Sequence, residues 1–119
     1  MQRQPAARHH ATESEALLQR AIAALDRGDI ATAAAEAQLA VDLDQEQALG
    51  WEILSLALHR GGALEQAIFA GRKAVELQPG AASFHGNLGV VLRSANRTDE
   101  AEGAYRAALR ADPRFAPAH

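Results

Sequence analysis

The sequence predicts an all-α fold, a solenoid of three stacked helix–turn–helix units. Three observations carry this reading. Hydrophobic residues make up 48% of the 119-residue chain but aromatics only 4%, so a core must be built from Ala, Leu, Val and Ile, a composition that favours helix. The same residue types recur at a spacing of 34: Ala33, Ala67 and Ala101; Ala40, Ala74 and Ala108; the small residues Ala21, Ser55 and Gly89; the glycines Gly28 and Gly62. Finally, Gly28, Gly61-Gly62, Pro79-Gly80 and Pro113 punctuate the chain where amphipathic segments end. A fixed period of this length is the signature of a helical repeat array, in which each unit buries its apolar face against its neighbours.

The elements follow in order. Residues 1–11, with Pro5 and no hydrophobic period, read as a disordered lead-in. His9 and His10 within it lack the further ligands that a metal site needs. Thr12-Glu13-Ser14-Glu15 has the form of a capping box and opens a helix running to about Arg27. Ala16, Leu17, Ala21, Ala24 and Leu25 form its apolar stripe. Gly28 tolerates the left-handed conformation that ends it. A second helix covers about Ile30 to Leu43, with Ile30, Ala33, Ala37, Ala40 and Val41 inward. The third helix carries Trp51, Leu54, Ser55 and Leu58 and stops at Gly61-Gly62. The fourth spans Leu64 to Leu77, turns Ala67, Ile68, Ala74 and Val75 inward, and ends before Pro79, which cannot continue a helix. The fifth holds Leu88, Gly89 and Leu92; the sixth starts at Thr98 or Asp99 as N-cap and stops at Asp112-Pro113.

In the third unit, Leu88-Gly89, Ala101, Tyr105, Ala108 and Pro113 resemble the tetratricopeptide repeat, a 34-residue helix–turn–helix motif. His85 stands in the motif's tryptophan place and Leu92 in its tyrosine place. The second unit matches through Trp51, Leu54, Ala67, Ala74 and Pro79, with Gly71 where an aromatic is usual; Phe69 or Trp51 is expected to fill that space. The first keeps mainly Ala21, Ala33 and Ala40, the degeneracy expected of a terminal repeat. The units are residues 14–47, 48–81 and 82–115 of a domain covering 12–115. Residues 116–119 read as the start of a fourth, since Ala116 repeats Ala82 and His119 repeats His85.

The resemblance implies a right-handed superhelix whose first helices line a concave face that contacts partners. The family's contact places fall on Leu18 and Ile22 in the first unit, Leu49, Glu52, Leu56 and His59 in the second, and Val90 and Arg93 in the third, with Asn87 beside them. Their spacing of three or four puts those of each unit on one helical face. Apolar side chains in such a row suggest a groove for a peptide segment. Members that clamp a C-terminal carboxylate carry Lys and Asn at places held here by Leu18, Ile22, Ile53, Ser83 and Asn87. Only Asn87 suits that role.

The expected function is therefore a non-catalytic protein–protein interaction or scaffold module that binds a protein or peptide partner. Two alternatives stand beside it: the recognition segment of a larger enzyme, such as a glycosyltransferase or sulfotransferase, and a self-assembling structural protein. No nucleophile–base–orienter set and no phosphate-cradling glycine loop is visible, and no cofactor is implied. A net charge of −3 with mixed signs lacks the basic face that nucleic acid requires. Apolar runs are too short for a bilayer, cysteine is absent, and the N-terminus has no apolar signal core, which together suggest a cytoplasmic protein. With no polar capping helix after the third unit, Ala104, Ala108 and Leu109 are expected to expose an apolar surface that drives a homodimer.

Overall fold

The computed structural model describes residues 6–115, with side chains from Thr12 onward. Among them are six helices and no strand: α1 (Ala6–Asp26), α2 (Ile30–Leu43), α3 (Ala48–Arg60), α4 (Leu64–Leu77), α5 (Ala82–Ser94) and α6 (Thr98–Ala111). Consecutive helices pair as antiparallel hairpins, and the hairpins stack through α2·α3 and α4·α5 contacts into a right-handed solenoid. The stack is elongated, 54 × 29 × 21 Å. None of the helices among the described residues is long and apolar enough to cross a membrane.

Each hairpin turns in the same way. Gly28 (φ 80°), Gly62 (φ 83°) and Asn96 (φ 62°) adopt the left-handed conformation one period apart. The next amide then bonds back over five residues: Asp29 N to Ala24 O at 2.8 Å, Ala63 N to Leu58 O at 2.9 Å, and Arg97 N to Leu92 O at 2.9 Å. This is the glycine-terminated helix end, and asparagine is the residue that substitutes in it at lowest steric cost. It places Arg97, rather than Thr98 or Asp99, at the cap of α6, without a side-chain capping bond. Only the first hairpin caps its second helix, through Asp29 accepting from Thr32 N at 3.3 Å among the described residues. Hydrogen bonds from Thr32, with a smaller contribution from Arg27, hold the Asp29 carboxyl below its usual range.

The first helix differs from expectation. α1 begins at Ala6, so residues 6–11 are helical and Thr12 lies inside the helix instead of capping it. Ala6 and Ala7 are strong helix formers placed just after a proline, a residue tolerated at a helix start. Ser14 is drawn into the core, its hydroxyl 3.1 Å from Ala40 O and 2.6 Å from Gln47 Oε1. Residues 1–5 of the expected lead-in, the side chains of His9 and His10, and the fourth-unit residues 116–119 lie outside the described residues.

Small side chains set the core. Ala33, Ala67 and Ala101 are buried at matched places, as are Ala40, Ala74 and Ala108. One apolar cluster fills the first hairpin and α3, another fills α4 to α6, and Leu58 packs against both. A Cβ at Gly71 would lie 3.1 Å from Leu88 Cδ1 and 3.2 Å from Ser55 Oγ. Leu88 from the next unit therefore fills the aromatic's place, not Phe69, which is 58% exposed. Gly89 is closer still to its neighbour: a Cβ there would lie 2.6 Å from Tyr105 Cε1.

The apolar surface expected at the last hairpin is much reduced. Ala104 and Ala108 are buried, because α6 turns them toward α5, and Leu109 alone of the three is exposed. Two glycines then separate close approach from mere flexibility. Gly89→Ala should destabilise by roughly 1–3 kcal/mol through overpacking against a rigid ring. Gly103→Ala, where an added Cβ meets nothing within 4 Å, should stabilise by up to about 1 kcal/mol from helix propensity. Urea unfolding of the two variants checks both signs.

Candidate functional site

The candidate face is formed by α1, α3 and α5, the first helices of the three hairpins, of which α3 makes limited contacts with both α1 and α5. The residues expected there do not share one environment. Leu18, 2% exposed, belongs to the core and cannot meet a partner. Its side chain lies near Gly50, 3.8 Å from where that residue's Cβ would be. Ile22, Leu56, His59, Asn87 and Val90 are half-buried along the face, and Arg93 is exposed. Leu49, 43% exposed, is the most accessible large apolar side chain among them. Beside it opens a cavity of about 470 Å³, lined by Glu15, Leu18, Gln19, Gln47 and Leu49 among others.

Two polar pairs tie α3 to α5 across this face. The Asn87 carboxamide donates to the Glu52 carboxylate, and His59 Nε2 lies 2.9 Å from Ser94 Oγ. Both join residues 35 apart, one period plus one. Comparison of one unit with the next does not display such a spacing, because the two partners hold different places in their repeats. Arg93 sits over the Tyr105 ring of α6 at 5.9 Å, a cation–π contact.

Glu52 is unusual. It is only 4% exposed, and no cation pairs with it among the described residues. Burial pushes its carboxyl up to about 7, an effect that the Asn87 hydrogen bond partly offsets. A carboxyl in this state accepts one neutral donor and is poorly solvated, so its charged form is disfavoured. The outer face carries a different feature: Trp51 and Phe69 meet edge-on at 6.1 Å and border a cavity of about 260 Å³ that reaches Leu58. Trp51 Nε1 donates to Gln45 O at 2.9 Å. His85, one period later, places Nε2 2.8 Å from Pro79 O, so it reproduces the tryptophan's hydrogen bond with a smaller ring.

A tetratricopeptide repeat family model matches residues 18–82 and 70–114. No curated protein sequence matches the chain. Among solved structures, the tetratricopeptide domain of Arabidopsis OM64 is similar with 21% identity and a TM-score of 0.85, over 89% of this chain and 88% of that one. The first such domain of Spaghetti (RPAP3), solved with the HSP90 peptide SRMEEVD, gives 16% identity and a TM-score of 0.84 over 88% and 83%. The O-GlcNAc transferase of Thermobaculum terrenum gives 27% and 0.81; the match covers 89% of this chain but only 20% of that enzyme.

The state of Glu52 sets a measurable pH dependence. Its folded carboxyl keeps a proton up to about 7, whereas the ordinary value is 4.5. The folded chain therefore binds more protons than the unfolded chain between these values, and stability falls as the pH rises through that window. Relative to the parent, Glu52→Gln should be more stable at pH 8, by ~3 kcal/mol at most, while the difference shrinks toward pH 4. Urea unfolding of both proteins at pH 4.5, 6 and 8 provides the check. A difference that does not change with pH would contradict the assignment.

Proposed function

Because the chain belongs to the tetratricopeptide repeat family, we propose that it is a protein–protein interaction module that binds a peptide segment along the face of α1, α3 and α5, without catalysing a reaction. The observation that carries this reading is the cavity beside Leu49; half-buried Leu56 follows two turns later on the same helix, and half-buried Val90 stands one period after Leu56. A row of accessible apolar side chains flanked by amides and charges suits an extended segment, which buries alternate side chains and offers its backbone to groups such as Gln19 and Asn87. Leu18 and Glu52 are omitted from the contact set because both are buried, at 2% and 4% exposure. The site comprises Ile22, Leu49, Leu56, His59, Asn87, Val90 and Arg93.

The HSP90-peptide complex of the RPAP3 domain supports a peptide as the class of partner but not an acidic chaperone tail. The places that would clamp a terminal carboxylate hold Leu18, Ile22, Ile53 and Ser83, none of them cationic. The similarity to the Thermobaculum transferase favours a second reading, in which the same groove selects substrates for a larger enzyme. Both readings use one surface, and a cytoplasmic setting is part of the proposal.

The test is affinity selection. Panning a phage-displayed random nonapeptide library on the protein should enrich peptides that bind it. Leu49→Asp combined with Val90→Asp should weaken those peptides at least about tenfold, a loss near 1.4 kcal/mol, with an unchanged helical circular dichroism spectrum. Undiminished binding by a folded double variant would refute the groove.

A further inference from the structure

We infer that Glu52 is a positioning residue of the groove: from beneath the face it holds the Asn87 carboxamide so that the amide oxygen accepts a backbone N–H of the bound segment. The inference rests on the groove reading above and deepens it. Three observations carry it. First, Glu52 is buried whereas Asn87, on α5, is half-buried. The Asn87 carboxamide donates to the Glu52 carboxylate, and its oxygen has no partner among the described residues. Among those residues the Tyr105 hydroxyl is the one fully buried side-chain polar atom left unbonded, so the Asn87 oxygen is reached from outside. Second, packing does not need this pair. One period earlier the matched places hold Leu18 and Ile53, which are 2% and 7% exposed and belong to one core cluster. The first junction between hairpins thus closes on hydrocarbon there, whereas the second takes a carboxyl into its interior at a cost in desolvation. Third, no other group claims the carboxyl. All of α1, α2, α4 and α5 pack on α3, yet none brings a charged or titratable side chain to bear on it: burial and the Asn87 bond account for its state.

The orientation follows from what each group can offer. A carboxylate only accepts hydrogen bonds, so an ionised Glu52 requires the amide nitrogen and turns the amide oxygen away from itself. A protonated carboxyl both donates and accepts, and either end of the carboxamide can then face it. Ionised, Glu52 therefore presents one fixed acceptor to the groove; protonated, it leaves the amide free to turn over. An amide ordered before contact spares the bound state the loss of that freedom. A backbone N–H on the Asn87 oxygen in turn favours the ionised carboxyl, since one orientation serves both bonds. The carboxyl stands at about 7, so affinity rises as the pH rises through that value.

Histidine-free peptides selected on the parent protein decide the matter. Asn87→Ala should weaken their binding at least about fivefold, and so should Glu52→Leu, which installs the first unit's side chain. The two substitutions together should lose no more than about twofold beyond Asn87→Ala alone, because Glu52 acts only through that amide. The parent should bind at least about threefold more tightly at pH 8 than at pH 5.5. That gain should be absent from Glu52→Gln, which can still accept the amide N–H but cannot ionise. His59 is common to both proteins, so the comparison isolates Glu52, and it stands even where Glu52→Leu does not fold. Undiminished binding by folded Glu52→Leu or Asn87→Ala, additive losses in the double variant, or an equal pH dependence in the parent and Glu52→Gln overturns the inference and leaves the groove standing. Selected peptides that bind the Leu49→Asp, Val90→Asp variant undiminished, or no selection above background, overturn the groove and this inference with it.

Discussion

Close approach between small side chains is the constraint on which the molecule depends. Ala21, Ser55 and Gly89 stand one period apart and are buried or nearly so, and each lies on the first helix of its hairpin. Ser55 uses the proximity to donate its hydroxyl to Ala67 O at 2.8 Å, while Gly89 leaves room for the Tyr105 ring. A helix pair held this close buries alanine completely, and a core made mostly of alanine and leucine then suffices without many aromatics. The period follows from the same geometry. Each hairpin buries only part of its apolar surface by itself, so the next must present the same shape at the same spacing, and the array curves into a solenoid.

The curvature exposes one helix of each hairpin on the inner face, and there the demands of packing relax. Leu18 and Gly86 fill matched places for structural reasons, the first inside the core and the second beneath Phe115. Glu52 occupies the place between them and gains nothing from it in stability. Its carboxyl is desolvated, shifted to about 7, and satisfied only by Asn87. Surface ion pairs such as Arg97 with Glu65 at 3.0 Å link the second and third hairpins at solvent-exposed positions and contribute little by comparison.

Much of this architecture was legible in the sequence. Both α2 (Ile30–Leu43) and α4 (Leu64–Leu77) follow from glycine before and an extended residue or proline after, signals that act within a few residues. The start of α1 was not legible, because a capping box at Thr12 and continuous helix from Ala6 satisfy the same amides and only the longer helix keeps its own hydrogen bonds. Asn96 was missed as a turn residue since asparagine is ambiguous where glycine is not. Gly71 and Leu88 show the general limit: which neighbour fills a vacancy depends on contacts between units, which periodicity within a unit does not report. The Glu52–Asn87 pair was hidden for the same reason, although its spacing of 35 is one more than the repeat.

The central claim is that recognition occurs on the inner face and not on the outer Trp51–Phe69 surface. Amide chemical-shift mapping of the isotope-labelled protein with a selected peptide tests it most directly. The account predicts that the largest shifts fall on Leu49, Leu56, Asn87 and Val90, with the Asn87 side-chain amide among them. Shifts confined to Leu39, Trp51, Phe69 and Lys73 would place the partner on the outer face and contradict it.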